Sequence, residues 1–167
     1  MKEQQKKYEL TGEFIEHWSG KKLYRIRALV SFGVVVAGQL GGFVESEKNL
    51  DQSLSGNAWV SGNAWVSGNA RVSGDTEVFG DARVRSYAVI SERKMIFGAT
   101  NVGSENGTLT VFNGKDGLIV TRGCFTGTVD EFLAKSAEVH DDKTKNEYKL
   151  LIEVAKSRIL GVKDERN

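Results

Sequence analysis

The sequence predicts a mainly β protein built around a short parallel solenoid of six-residue units, and three observations predict it. From Ser55 to Val84 the chain reads SGNAWV SGNAWV SGNARV SGDTEV FGDARV. An aliphatic residue recurs in one phase as Leu54, Val60, Val66, Val72, Val78, Val84 and Ile90, and the phase then meets Ile96 and Val102. Two positions before come Ala58, Ala64, Ala70, Thr76, Ala82 and Ala88. A period of six matches neither the helical turn of about 3.6 residues nor the two-residue alternation of a simple hairpin. It matches one flat strand plus one corner. The composition agrees: there is no proline, and 19 glycines are available to make the corners.

Taken in order, the chain divides into an N-terminal cap (1–33), the repeat (34–102) and a C-terminal α+β tail (103–167). Residues 1–7 read as frayed. Tyr8 to Val30 reads as a hairpin turning at Trp18-Ser19-Gly20-Lys21, with Tyr24, Ile26, Ala28 and Val30 on one face of its second strand. Val34 to Val44, with Gly38, Gly41 and Gly42, reads as a degenerate first coil. Val44 to Leu54 is ten residues and breaks the phase. Beyond it, three hexapeptides close one turn, so residues 18 apart stack: Leu54 on Val72 on Ile90, Val60 on Val78 on Ile96, Val66 on Val84 on Val102. So short a prism has apolar ends and needs caps or partners. The tail supplies a hairpin, Thr108–Phe112 with Gly117–Thr121. A helix follows from the capping box Thr128/Glu131 to about His140, then a second over about Lys145 to Leu160, stopped by Gly161.

Composition excludes several classes of function. The 167 residues carry 23 basic and 22 acidic side chains, a net charge of +1. No global field favours duplex nucleic acid or a membrane surface, so a charged site must be local. Cys124 is the single cysteine, which fits a reducing, cytoplasmic setting. The start, MKEQQKK, has no apolar core of a secretory signal. The uncharged run Ala28–Val44 is too short and too glycine-rich to span a bilayer.

The repeat resembles that of left-handed β-helix proteins, and the resemblance implies left-handed coils and a homotrimer. Its style (SGNAWV, SGNARV, FGDARV) is similar to that of phage and prophage hexapeptide-repeat proteins. These carry a similar lead-in (KLYRIRALVSFG, AGQLGGFVESEKNL) and a tail resembling NVGSENGTLTVFNGKDGLIVTRGCFTGTVDEF. The best-known left-handed β-helix proteins are acyltransferases, which use a histidine carried by the coils as general base. Here the two histidines, His17 and His140, lie outside the coils. A non-enzymatic protein without cofactor or metal is therefore expected, in the cytoplasm of an infected or lysogenic bacterium.

Seven residues are candidates for a binding site. Trp59 and Trp65 precede inward valines and so point outward, as subunit contacts, ligand contacts or both. Arg83 lies 18 residues from Trp65, Arg71 occupies the third face, and Arg85 follows the next corner. Tryptophan beside arginine suits a planar base with a phosphate, because the ring stacks and the guanidinium binds oxygen in bidentate fashion. Arg25 and Arg27 share a strand face, either as an anion site or as a solvated edge. Cys124 reads as a buried structural thiol and His140 as a helix C-terminal cation. The leading expectation is a small phosphorylated or nucleotide-like ligand held at inter-subunit clefts, with sequestration of a host immune signal as its use. The alternatives are a trimeric scaffold or inhibitor of a host protein, with the tail as recognition element, and an acyltransferase-like enzyme.

Overall fold

Residues 6–17 and 19–161 are described by the structure, a computed structural model. Strands β1 (Tyr8–Glu16), β2 (Lys22–Ala28) and β3 (Leu40–Val44) come first. Short strands follow at the repeat: β4 (Trp59–Val60), β5 (Trp65–Val66), β6 (Arg71–Asp75), β7 (Glu77–Val78), β8 (Arg83–Val84) and β9 (Val89–Glu92). The tail holds β10 (Ile96–Val102), β11 (Gly107–Gly114), β12 (Gly117–Arg122) and β13 (Phe125–Thr128), then α1 (Val129–Val139) and α2 (Asp142–Leu160). Neither helix is long and apolar enough to cross a membrane.

The expected left-handed parallel β-helix is corrected by the pairing of these strands. The largest sheet is mixed, in the order β1-β2-β3-β5-β8, with β1, β2 and β3 antiparallel and only β3-β5-β8 parallel. A second sheet, β10-β11-β12-β13, is wholly antiparallel. Among the described residues, parallel pairing elsewhere consists of two two-stranded ladders, β4-β7 and β6-β9, and a single bridge between Leu50 and Val72. Residues 18 apart do pair once, Val60 with Val78, Val66 with Val84 and Val72 with Ile90. No second turn follows, because the hexapeptide chemistry fails at 91–96. There SERKMI has Glu92 where the corner glycine belongs and Lys94 at the small position, and Arg93–Met95 forms a 3-10 turn instead. Ile96 and Val102 then pair antiparallel with Phe112 and Gly107.

The phase break also moves. Val44 pairs with Val66, and Leu50 bridges to Val72. The six-residue phase thus runs from Val44 to Leu50, and the ten-residue gap lies between Leu50 and Val60. Leu50 is fully buried, whereas Leu54, expected in the core, is 48% exposed. Corner glycines Gly62, Gly68, Gly74 and Gly80 hold φ between +64° and +68°, where a side chain is strained. Gly41 is required for another reason: a Cβ there would stand 2.5 Å from the Val60 carbonyl oxygen, so only glycine lets β3 lie on the repeat.

Valines and alanines of the repeat pack with Tyr8, Ile26, Phe32 and Phe112 in one core. A second core lies between the tail sheet and the helices, around Leu109, Val111, Val120, Phe132, Tyr148 and Ile152. The helix signals act as expected. Thr128 and Glu131 form the capping box, and Gly161 closes α2 with φ +63°. α2 begins three residues earlier than expected, because the Asp141 carboxylate caps it by accepting the Thr144 N–H.

Short ladders leave backbone groups unpaired at both ends, and buried side chains take them. At one end Lys7 Nζ donates to the Ala58 carbonyl at 2.9 Å, Tyr8 Oη to that of Leu50 at 2.6 Å, and Asn49 Nδ2 to that of Ala70 at 2.9 Å. Lys7 is fully buried, which corrects the expectation of a frayed start; residues 1–5 and Trp18, at the expected hairpin turn, lie outside the described residues. At the other end Thr110 Oγ1 accepts the Arg83 N–H at 3.2 Å, and Thr121 Oγ1 donates to the Arg83 carbonyl at 2.7 Å. Asn113 Nδ2 donates to the Val89 carbonyl at 2.9 Å.

Two stability measurements follow from these caps. Thr121→Val keeps the shape but leaves the Arg83 carbonyl without its donor, so urea unfolding should show a loss of about 1–3 kcal/mol. Burial holds the Lys7 ammonium below its ordinary pKa, with Asp51 opposing. The folded protein therefore binds this proton less tightly than the unfolded chain, and stability rises with pH between the folded and unfolded values. Compared with Lys7→Met, the wild type should gain relative stability as the pH is raised from 7 toward 10.

Candidate functional site

One row of side chains crosses the mixed sheet. Arg25 of β2 stands opposite Phe43 of β3, Phe43 opposite Trp65 of β5, and Trp65 opposite Arg83 of β8. Guanidinium and ring alternate along it. Arg25 Cζ lies 4.4 Å from the Phe43 ring centre, and Arg83 Cζ lies 4.0 Å from that of Trp65. Both are close cation–π contacts. Their neighbours on the strand, Val44, Val66 and Val84, face the core instead.

Beyond Arg83 the row runs into a cleft of about 360 Å³ at the seam between the repeat and the tail sheet. Trp65, Arg83 and Arg85 form its repeat side; Arg122 and Cys124 line its tail side. Each guanidinium is braced. Arg83 Nη1 donates to the carbonyls of Asn63 and Asp81, both at 2.9 Å. Arg85 reaches the β12–β13 turn, donating to Thr126 Oγ1 at 2.6 Å and to the carbonyls of Gly123 and Phe125 at 2.8 and 2.9 Å. Arg122 Nε donates to Tyr148 Oη at 2.9 Å, and its Nη2 lies 3.9 Å from Glu105. Among the described residues, Asp81 is the one carboxylate on the wall.

Positive charge is crowded here. Burial lowers the basicity of both Arg83 and Arg85, and the charge of Arg83 lowers Arg85 further, while Asp81 works the other way on Arg83. An anion placed between the guanidiniums relieves that strain while meeting fork-shaped donors that suit phosphate or carboxylate oxygens.

The expected site residues separate into two groups. Trp65, Arg83 and Arg85 meet in the cleft. Trp59 does not, and its expected outward exposure is corrected: it is 2% exposed, with edge contacts to Tyr8 at 6.5 Å and Phe32 at 5.4 Å. The N-terminal strand and the 31–39 loop cover the face it points to. Arg71 is exposed on the separate β6-β9 ladder, opposite Val89. Arg25 is occupied by Glu13, 3.0 Å from its Nε, and by the Gly41 carbonyl at 2.7 Å. Arg27 is paired with Glu9 across the hairpin. Cys124 is exposed at the cleft, against the expectation of burial. Sequence reasoning passed over Arg122, which directly follows the expected strand Gly117–Thr121 and is the last residue of β12. It also passed over His17, whose ring meets the Trp65 ring edge-on at 5.9 Å.

Arg85 ties the β12–β13 turn to the repeat, so its loss acts locally. In Arg85→Ala, amide hydrogen exchange at 123–126 should accelerate by on the order of tenfold, while exchange in β11 stays near wild type.

No protein-family model matches the chain, and no curated protein matches it.

Proposed function

We propose that the protein is a non-enzymatic binding protein whose arginine-lined cleft takes a small phosphorylated, nucleotide-like ligand. One observation carries this reading: three guanidiniums and a tryptophan line a single cleft in a chain whose net charge is only +1. The volume, about 360 Å³, lies at the lower end of ligand clefts and suits one nucleotide better than two. Arg83 already stacks on Trp65, and a planar base extends that stack, while Arg85 and Arg122 face its phosphate. The cleft is made within one chain, so this reading needs no subunit boundary, although a homotrimer would present three copies of it. The resemblance of the repeat to phage and prophage proteins points to sequestration of a host signal as the use of such binding.

A second reading, a module that binds a host protein through its tail, is favoured by α2, where Leu150, Val154 and Leu160 are each more than half exposed.

Titration calorimetry separates the two. Wild-type protein should bind at least one of ADP, ADP-ribose or a cyclic nucleotide, more weakly as salt is raised. Arg83→Gln and Trp65→Ala should each weaken binding about tenfold or more, and Arg71→Gln should leave it unchanged. Absence of binding to all three probes, with a host protein retained only while 103–167 is present, would overturn the first reading for the second.

A further inference from the structure

His17 stands just past β1, beside the cleft wall. Its Nδ1 accepts the Ser19 backbone N–H at 3.1 Å and lies 2.8 Å from the Ser19 hydroxyl. In the neutral ring the proton therefore sits on Nε2. The ring touches Trp65, the residue on which Arg83 stacks. Among the described residues, Lys21 from the same turn, Arg85 from beyond β8 and Glu45 from the end of β3 act on it. Glu45 is shared, lying 3.9 Å from Lys21 Nζ and accepting the Gly68 N–H at 2.7 Å. The imidazole thus stands at the rim of a cationic cleft, and the Glu45 carboxylate that acts on it is already engaged.

We infer that His17 is a further binding residue of the cleft, and that an anionic ligand enters together with a proton taken up by its imidazole. The inference rests on the reading of the cleft as an anion site. In the empty cleft burial, then the charges of Arg85 and Lys21, hold His17 below its ordinary pKa, so it is uncharged at neutral pH. An anion beside Arg85 cancels the repulsion and adds an attraction of its own, which raises the His17 pKa. Coupling is reciprocal: if the ligand tightens proton binding, protons tighten ligand binding. Affinity therefore rises as the pH falls through the range in which the imidazole titrates.

This linkage also selects a ligand class. A phosphomonoester takes its second proton near pH 6 and loses charge in the same window. A phosphodiester or a pyrophosphate diester keeps its charge throughout, so protonation of the protein is not offset by protonation of the ligand. The site suits a ligand of that class.

Calorimetry on the full chain tests this with 3′,5′-cyclic AMP and ADP-ribose, at pH 5.5 and 7.5, in buffers of different ionisation heat. Wild-type protein should bind at least one probe several-fold more tightly at pH 5.5, with net proton uptake read from the buffer dependence. His17→Gln, checked for an unchanged melting curve, should bind with nearly the same affinity at both pH values. Binding that is equally tight at both pH values in the wild type, or an undiminished slope in His17→Gln, would overturn the role of His17 and leave the cleft reading standing. If His17→Gln does not fold, the proton count on the wild type decides alone, and a count of zero overturns the inference. No heat with either probe at either pH would remove the anion site itself.

Discussion

Everything in this fold depends on satisfying the backbone at the two ends of a very short parallel layer. Strands of two residues in a stack this shallow leave N–H and C=O groups without a backbone partner at its edges. An unpaired buried group costs about 1–3 kcal/mol, so a few such groups would cancel much of the stability of a small domain. The flanking segments exist to meet them. Lys7, Tyr8 and Asn49 serve one end, and Thr110, Asn113 and Thr121 serve the other. Most of these polar side chains are buried, an arrangement a core tolerates only when each finds a partner.

The same caps fix the cleft. Thr110 and Thr121 hold both backbone groups of Arg83, so its side chain leaves β8 from a clamped position. The tail strands that carry these threonines also carry Arg122, which Tyr148 orients from α2. Arg85 crosses the seam in the opposite direction and holds the turn containing Cys124. A seam made to seal an open ladder therefore becomes the place where three guanidiniums converge. Their mutual repulsion is offset by carbonyl oxygens and hydroxyls and by the carboxylates of Asp81 and Glu105.

Much of this was legible in the sequence. The six-residue phase identified the inward valines, and the 18-residue offset identified the pairs Val60/Val78, Val66/Val84 and Val72/Ile90. The capping box at Thr128 and the glycine stop at Gly161 were equally plain. What failed was the continuation of a local pattern into a global architecture. Ile96 and Val102 keep the phase, yet they lie beyond a hexapeptide with no corner glycine, and there the antiparallel tail outcompetes another parallel turn. Leu54 keeps the phase by accident of a ten-residue gap, while Leu50 holds the buried position. Phase alone does not distinguish these cases, because the deciding groups lie far away in the chain. The same distance hid His17 and Arg122, which only the folded seam places beside Trp65.

The two SGNAWV units make the point most sharply. Trp59 and Trp65 occupy identical hexapeptides with identical neighbours, and both follow the outward direction that alternation prescribes. Their surroundings nevertheless differ completely. Tyr8, Phe32 and the glycine at 41 close over Trp59 and turn it into core. Trp65 instead meets the guanidinium of Arg83 and the edge of His17. A repeat thus supplies equivalent positions, and the segments that flank it decide which becomes structure and which remains available to a ligand. For Trp65 the neighbouring groups are cationic or can become so, which makes the second hexapeptide, and not the first, the one that presents its ring to the cleft.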